Sequence, residues 1–129
     1  MIILEFLFRL ISKDNEKIMN RQGRYFLSKK YVNFEKEIKR VASAAYKGDI
    51  LECPLKVTIA AYFRTKIRPD CFNLPKSLCD ALQGIVYKND RQIRIGRVVV
   101  ISEKWERDLF KVYIEEVHDA EFIKEDIIG

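Results

Sequence analysis

Apolar and polar residues alternate with a period of two from Leu55 to Arg64, which is the pattern of a strand that buries one face. Its apolar positions are Leu55, Val57, Ile59, Ala61 and Phe63. Amphipathic helices are predicted on both sides of this strand, from Asn33 to Gly48 and from about Asn73 to Gly84, because apolar residues there recur at steps of three and four. The two helices come before and after a strand that buries one face, and their apolar sides need a sheet to pack on. The pattern therefore predicts an α+β domain.

Three further segments complete the predicted sheet. The apolar run Ile2 to Ile11 predicts a buried first strand, and because it is too short to span a bilayer and is interrupted by charges, it favours a cytoplasmic protein. Segments 92–102 and 109–114 predict two strands that pair as a hairpin. We therefore expect the order βαβαββ, with a mixed β-sheet packed by two helices, in a single domain over residues 1–129.

The charge of the chain is unevenly distributed. Residues 115–129 hold six acidic side chains and one lysine and are expected to form an acidic C-terminal tail, whereas residues 1–114 carry 23 basic and 13 acidic side chains, a net charge of +10. Residues 12–30 are polar and rich in lysine and arginine, which predicts a long basic loop. Such a body is typical of a protein that binds a polyanion, although a solvated basic surface explains the same composition.

Histidine and cysteine chemistry is nearly excluded. The cysteines Cys53, Cys71 and Cys79 form an odd set without C-x-x-C spacing, and the single histidine, His118, lies in the acidic tail. We therefore expect neither a disulfide framework nor a zinc site, and histidine is not predicted to act in catalysis.

The remaining candidates for chemistry are carboxylates beside a lysine. Asp70 precedes the second predicted helix and Asp90 follows it, so a strand, a helix and a loop could bring both to one end of the sheet. Two carboxylates suit a hard cation such as Mg²⁺, and Lys76 in the first turn of that helix could neutralise charge on a phosphate. From spacing alone the pattern is weak, because aspartates near turns commonly form turns or caps.

Basic side chains form two candidate sets for contacts with DNA phosphates, which position a duplex without selecting its sequence. One set, expected beside the aspartates, comprises Lys66, Arg68, Lys88, Arg91 and Arg94. The other belongs to the long loop and comprises Arg21, Arg24, Lys29 and Lys30. Three rings, Tyr25, Phe26 and Tyr31, are interspersed with the loop set; they either stack on opened bases or cover the core beneath the loop.

One longer motif joins several of these residues. The stretch RPDCFNLPK from Arg68 to Lys76, followed by CDALQGIVYKNDRQI from Cys79 to Ile93, resembles the signature of the RusA family of Holliday-junction resolvases. The resemblance implies an α+β fold that acts as a homodimer. It also implies an endonuclease that requires Mg²⁺, with Mn²⁺ as a substitute, and that cuts four-way DNA junctions.

The resemblance also implies roles for individual residues. The first motif aspartate falls on Asp70 and the last on Asp90, so these two are expected to hold the cation. The motif lysine falls on Lys76, which is expected to act in catalysis with them, and the motif asparagine falls on Asn73, which is assigned to DNA binding. Asp80, four residues after the lysine, is expected to pair with it along the helix.

The chain departs from the family motif at two positions. Phe72 stands in place of a motif aspartate, and Asn89 stands in place of another. Asparagine keeps an oxygen donor, whereas a phenyl ring cannot ligate Mg²⁺. Two functions therefore remain open: a structure-selective endonuclease, and a catalytically impaired homologue that binds junctions without cutting them.

Overall fold

The segment that begins at Leu55 forms an inner strand of a mixed sheet. The computed structural model describes residues 1–12, 17–66 and 74–117. Its elements are, in chain order, β1 (Ile2–Phe6), β2 (Lys17–Met19), β3 (Tyr25–Leu27), α1 (Lys29–Ala45), β4 (Leu55–Tyr62), α2 (Pro75–Leu82), β5 (Ile93–Val100) and β6 (Leu109–Glu116). The main sheet has the order β1-β6-β4-β5, and β2 pairs with β3 in a small separate sheet. The predicted α+β fold, with a mixed sheet and two helices, is confirmed.

β4 takes an inner position because its alternate side chains, from Leu55 to Ala61, are almost completely buried. It pairs in parallel with β5 and antiparallel with β6. Parallel neighbours need a crossover connection, and α2 lies within that connection. β1, β4 and β5 therefore run in the same direction. We call the edge of the sheet where they end the carboxyl edge, and the edge where β4 and β5 begin the amino edge.

The predicted hairpin of segments 92–102 and 109–114 is wrong, because β4 lies between β5 and β6. β5 exposes Arg94, Gly96 and Arg97, and a strand with this pattern suits the outer position that it occupies. β6 buries Phe110, Val112 and other side chains, so it can lie between two strands. Closeness in sequence favours the hairpin, but β6 is more buried than β5, and the more buried strand takes the inner position.

Aromatic rings fill the core between the sheet and α1. Phe6 of β1 stacks on Phe110 of β6, with ring centroids 4.6 Å apart. Phe8 meets Phe110 edge to face at 5.4 Å and meets Phe34 of α1 in the same way at 5.8 Å. Edge-to-face and offset ring pairs of this kind add to the energy of simple burial. The first strand, the last strand and the first helix are thus held by one cluster.

The N-cap of α1 lies five residues before the predicted cap at Asn33. Ser28 is the N-cap, because its hydroxyl accepts a hydrogen bond from the backbone N–H of Tyr31 at 3.1 Å. The additional turn carries Tyr31 into the core, where its side chain is completely buried. α1 ends at Ala45, before the predicted stop at Gly48.

Replacing Ser28 by alanine is expected to lower the free energy of unfolding by about 1 kcal/mol, because one helix N–H loses its partner. Urea unfolding followed by circular dichroism measures this change. Ser43→Ala is the matched control, since Ser43 is exposed within the same helix and alanine is a better helix former. Equal losses in the two variants would contradict the capping role.

The predicted long loop over residues 12–30 is corrected within the described residues. β2 and β3 form a hairpin, and α1 already begins at Lys29. Asn20 Oδ1 accepts the backbone N–H groups of Gln22 at 3.0 Å and of Arg24 at 2.9 Å, and Gly23 adopts the left-handed φ of 77° that a residue without a Cβ permits. Strands of three residues are too short to show a period in sequence. We call this hairpin, residues 17–27, the arm.

Other boundaries lie close to the predictions. α2 begins with Pro75 in its first turn, and Gly84 follows its end with a φ of 81°. β1 is shorter than expected and ends at Phe6, although Leu10 and Ile11 are buried. The first two residues of the predicted acidic tail belong to β6, and residues 118–129 lie outside the described residues. Neither helix in the described ranges is long and apolar enough to cross a membrane.

Candidate functional site

The first turn of α2 is fixed at the carboxyl edge of the sheet. The Ser77 hydroxyl is buried and lies within hydrogen-bond distance of the carbonyl of Ile11, at 3.0 Å, and of Leu74, at 3.1 Å. Ile11 follows β1, which ends at this edge. Lys76, one residue before this anchor, is exposed. Its ammonium group is therefore presented to solvent from a fixed point of the backbone.

The end of α2 is fixed at the amino edge. The backbone N–H of Gly84 donates to the carbonyl of Tyr87 at 2.8 Å, which closes a turn after the helix. The Tyr87 hydroxyl donates to the carbonyl of Cys79 at 2.6 Å, and its ring is completely buried. Leu51, which precedes β4, donates to Val86 at 2.8 Å. The turn is thus held both by the helix and by the segment that leads into the sheet.

Asp90 lies next to this turn, in a short 3₁₀ helix over Asp90–Gln92. Asn89 caps it by accepting the N–H of Arg91 at 2.9 Å, and the Gln92 side chain accepts the N–H of Asn89 at 2.8 Å. The backbone N–H of Asp90 donates to Gln83 Oε1 at 3.1 Å, whereas its carboxylate is on an exposed residue. Asparagine and aspartate cap helices equally well, so the departure from the motif at Asn89 preserves the local structure.

Lys76 and Asp90 lie at opposite ends of α2. Lys76 is in the first turn, and the backbone of Asp90 is bound to Gln83, directly after the last residue of the helix. A helix of eight residues is about 12 Å long at its rise per residue. Within the described residues, Lys76 and Asp90 therefore do not lie at one end of the sheet, contrary to the prediction. Asp70, together with Arg68, Phe72 and Asn73, lies outside the described residues.

A second carboxylate accompanies Asp90 at the amino edge. Asp80, on the last turns of α2, and Asp90 both act on the buried Tyr87 hydroxyl, whose pKa is raised well above its ordinary value, mainly by burial. Burial also raises the pKa of the Cys79 thiol to about 11, and the two aspartates act in the same direction. The sequence alone pairs Asp80 with Lys76. Asp80 lies two residues before the end of α2, and it acts on the same two buried groups as Asp90.

Carboxylate oxygens are the donors that Mg²⁺ prefers, so Asp90 and the half-buried Asp80 suit part of a site for this ion. Within residues 1–12, 17–66 and 74–117, no group of three or more His, Cys, Asp or Glu side chains is placed to hold a metal. The aspartates at the amino edge therefore supply only part of the donor set. Further donors are needed, from another segment or from a second chain.

The basic set expected beside the aspartates is divided between the two edges. Lys66 is exposed after β4, towards the carboxyl edge, whereas Lys88 and Arg91 are exposed beside Asp90 at the amino edge. Lys88 Nζ lies 3.6 Å from a carboxylate oxygen of Glu52, and both side chains are about three-quarters exposed. An ion pair this exposed contributes little to stability, so it leaves Lys88 ready to exchange partners.

The loop set is exposed as expected. Arg21 and Arg24 lie at the turn of the arm, and Lys29 and Lys30 lie in the first turn of α1. Of the three rings, only Tyr31 follows the alternative in which a ring covers the core. Tyr31 belongs to the core, whereas Tyr25 and Phe26 are 70% and 49% exposed on the arm.

The chain matches the model of a known protein family. Residues 8–115 of the 129-residue chain match the family model described as Endodeoxyribonuclease RusA. The matched range contains both motif stretches and every side chain considered above for the metal and for DNA. Among curated proteins, none matches the chain.

Proposed function

Because the chain belongs to the endodeoxyribonuclease RusA family, we propose that it is a Mg²⁺-dependent, homodimeric endonuclease that resolves four-way DNA junctions in recombination and repair. The observation that carries the proposal is the family match over residues 8–115. Family membership implies a Holliday-junction resolvase nuclease. The cation, the dimer and the roles of individual residues are the finer parts of the proposal.

Asp70 and Asp90 are the proposed ligands of Mg²⁺, for which Mn²⁺ substitutes. When bound, this ion would supply a water activated for attack and would neutralise charge on the scissile phosphate. Lys76 holds its positive charge towards the same phosphate and stabilises the charge that develops there. The exposed position of Asp90, whose backbone N–H and carbonyl hold the turn while its carboxylate is not used there, supports this assignment.

The proposed homodimer follows from two considerations. Resolution of a junction needs two equivalent incisions, and a two-fold axis supplies two identical sites. In addition, Lys76 and Asp90 lie at opposite ends of α2 in one chain. We therefore place Lys76 of one protomer beside Asp90 of the partner subunit, so that each site draws on both chains.

The phosphate contacts of the proposed enzyme are divided in the same way. Those expected near the cut are Lys66, Arg68, Asn73, Lys88 and Arg91, and those of the arm and α1 are Arg21, Arg24, Lys29 and Lys30. All of the described members are exposed, which supports contacts with a large polyanion.

Cleavage of a synthetic four-way junction, beside a linear duplex of the same sequence, tests the proposal. The expected result is symmetric cutting of the junction in Mg²⁺, binding without cutting in EDTA, and an intact linear duplex. Equal cutting of both substrates would contradict a structure-selective enzyme. Junction binding without cutting in Mg²⁺ or Mn²⁺ would favour the alternative, a catalytically impaired homologue.

Phe72 decides how strongly the parent chain holds the cation. We expect Phe72→Asp to lower the Mg²⁺ concentration needed for half-maximal cutting by about tenfold or more, because a carboxylate adds an oxygen donor and a negative charge. A metal titration of the cutting rate measures this. Phe72→Leu is the matched control and should keep the parental requirement. An unchanged requirement in Phe72→Asp would remove Phe72 from the metal site.

A further inference from the structure

The arm exposes an unusual amount of apolar surface. Of the eleven large hydrophobic side chains that the described chain exposes, four lie within its six strand residues: Ile18, Met19, Tyr25 and Phe26. Because Tyr25 and Phe26 are exposed, they do not stabilise the arm by burial, although a two-stranded hairpin is only marginally stable in water. Leu27, at the base of the arm, packs against the core and attaches the arm to the body.

The apolar side chains of the arm lie on both of its faces. Met19 is paired with Tyr25 across the hairpin, and Ile18 is paired with Phe26. Because successive residues of a strand point to opposite faces, each face carries one ring beside one aliphatic side chain. A surface that docks on a flat partner needs only one such face. Two apolar faces suit an element that enters between two apolar planes.

The turn of the arm is basic. Residues 17–30 contain five lysines and arginines and no acidic residue. Arg21 and Arg24 lie beyond the rings, at the turn. An arm that entered a lipid bilayer would need an apolar end, so the charged turn favours a polyanion as the partner.

The turn is also formed in advance. Besides the two bonds to its side chain, the N–H of Asn20 donates to the carbonyl of Arg24 at 2.8 Å, and the N–H of Gly23 donates to the carbonyl of Asn20 at 3.1 Å. A turn held by four hydrogen bonds loses little conformational entropy when it binds. The backbone positions that carry the rings and the arginines are therefore held in a fixed relation to one another.

We propose that the arm is a wedge that enters the branch point of a four-way DNA junction. Tyr25 and Phe26 stack on bases of the diverging DNA duplexes, one on each face of the wedge. Arg21 and Arg24 contact the phosphates that converge at the branch point. This inference rests on the proposed function and adds the element that distinguishes a junction from a duplex. A linear duplex offers only phosphate contacts, because its bases remain stacked.

The test compares a ring-deleted variant, Tyr25→Ala with Phe26→Ala, with the parent in EDTA. Both are titrated with a four-way junction that carries 2-aminopurine next to the branch point and with a linear duplex of the same sequence. We expect the dissociation constant for the junction to rise about tenfold or more, the fluorescence increase of 2-aminopurine to disappear, and the constant for the duplex to change less than twofold.

Two controls accompany the variant. Trp105→Ala removes an aromatic ring that is 43% exposed elsewhere, and it should leave both constants and the fluorescence as in the parent. Exchanging the two rings, Tyr25→Phe with Phe26→Tyr, retains a ring on each face and should keep the parental values. Thermal unfolding establishes that the variants are folded, which is expected because both rings are exposed.

The proposal of a wedge is contradicted if the ring-deleted variant binds the junction as the parent does. It is also contradicted if the variant loses as much affinity for the duplex as for the junction. A change in its sedimentation mass would overturn it too, because the rings would then contact a second copy of the chain. If the parent itself shows no preference for the junction, the proposed function and the wedge both fail. If the parent selects and cuts junctions while the ring-deleted variant retains that selectivity, only the wedge fails.

Discussion

Asp90→Asn is expected to reduce nicking of a four-way junction at least about 100-fold while junction binding in EDTA stays equal to that of the parent or becomes tighter. Loss of a residue that only orients a metal ligand already lowers metal affinity or activity about 10- to 100-fold. Loss of a ligand itself should lower them by at least as much. Asparagine preserves the size of the side chain, and the turn uses only the backbone N–H and carbonyl of Asp90. A nicking assay with labelled strands measures the effect.

Asp49→Asn provides the matched control, since Asp49 is exposed and lies outside the motif stretches. It should cut as the parent does. Asp70→Asn should lose activity to the same extent as Asp90→Asn, because both residues are proposed ligands of one ion. Parental cutting by Asp90→Asn would exclude Asp90 from the metal site.

Mixing two inactive variants tests whether the site is shared between chains. Lys76→Ala and Asp90→Asn, refolded together, form mixed dimers in which Lys76 of one protomer meets Asp90 of the partner subunit. Half of the random dimers are mixed, and each has one intact site of two, so about a quarter of the parental nicking should return. Activity that does not return would place both residues in the site of a single chain.

Junction binding in EDTA is expected to weaken about 1,000-fold or more when the salt concentration rises from about 50 to about 200 mM, which is the decrease typical of six to ten phosphate contacts. The four basic side chains at the arm and the start of α1 would supply eight such groups in a dimer. Their charge makes the release of counterions the main source of affinity. Electrophoretic mobility shifts at a series of salt concentrations give the slope of the logarithm of the binding constant against the logarithm of the salt concentration.

Arg21→Ala and Arg24→Ala should each reduce the slope by about one for every phosphate that the variant no longer binds, for junctions of any sequence. Arg40→Ala is the control, because Arg40 already forms an ion pair with Glu37 at 2.8 Å on the exposed face of α1. Its slope should equal that of the parent. Affinity that does not change with salt would contradict binding through phosphates.

The sequence predicts those elements of the fold that carry a strong local signal. The alternation from Leu55 to Arg64 predicts β4 within two residues, and Pro75 with Gly84 brackets α2, because proline and glycine restrict the backbone wherever they occur. The arm carries no such signal, because three residues are too few for a period. The predicted start of α1 is displaced because a serine that caps a helix is not distinguished by sequence from a serine in a loop.

The site is predicted less completely than the fold. The motif identifies Asp90 and Lys76, but only the crossover shows that the two ends of α2 separate them. Spacing in the sequence gives only the number of residues between two side chains. The direction of the helix determines where each of them lies relative to the sheet. Asp80 is the converse case, because only the fold shows that Asp80 and Asp90 act on the same buried hydroxyl of Tyr87.

The place of β6 between β1 and β4 has a consequence for the synthesis of the protein. The first strand finds its partner more than 100 residues later, since Ile2 pairs with Ile114. Contacts this distant in sequence slow folding, because a long loop must close before any pairing energy is gained. On the ribosome, neither β1 nor one side of β4 can be completed until residue 116 has left the exit tunnel. The chain must therefore keep its apolar strands from aggregating until β6 has emerged.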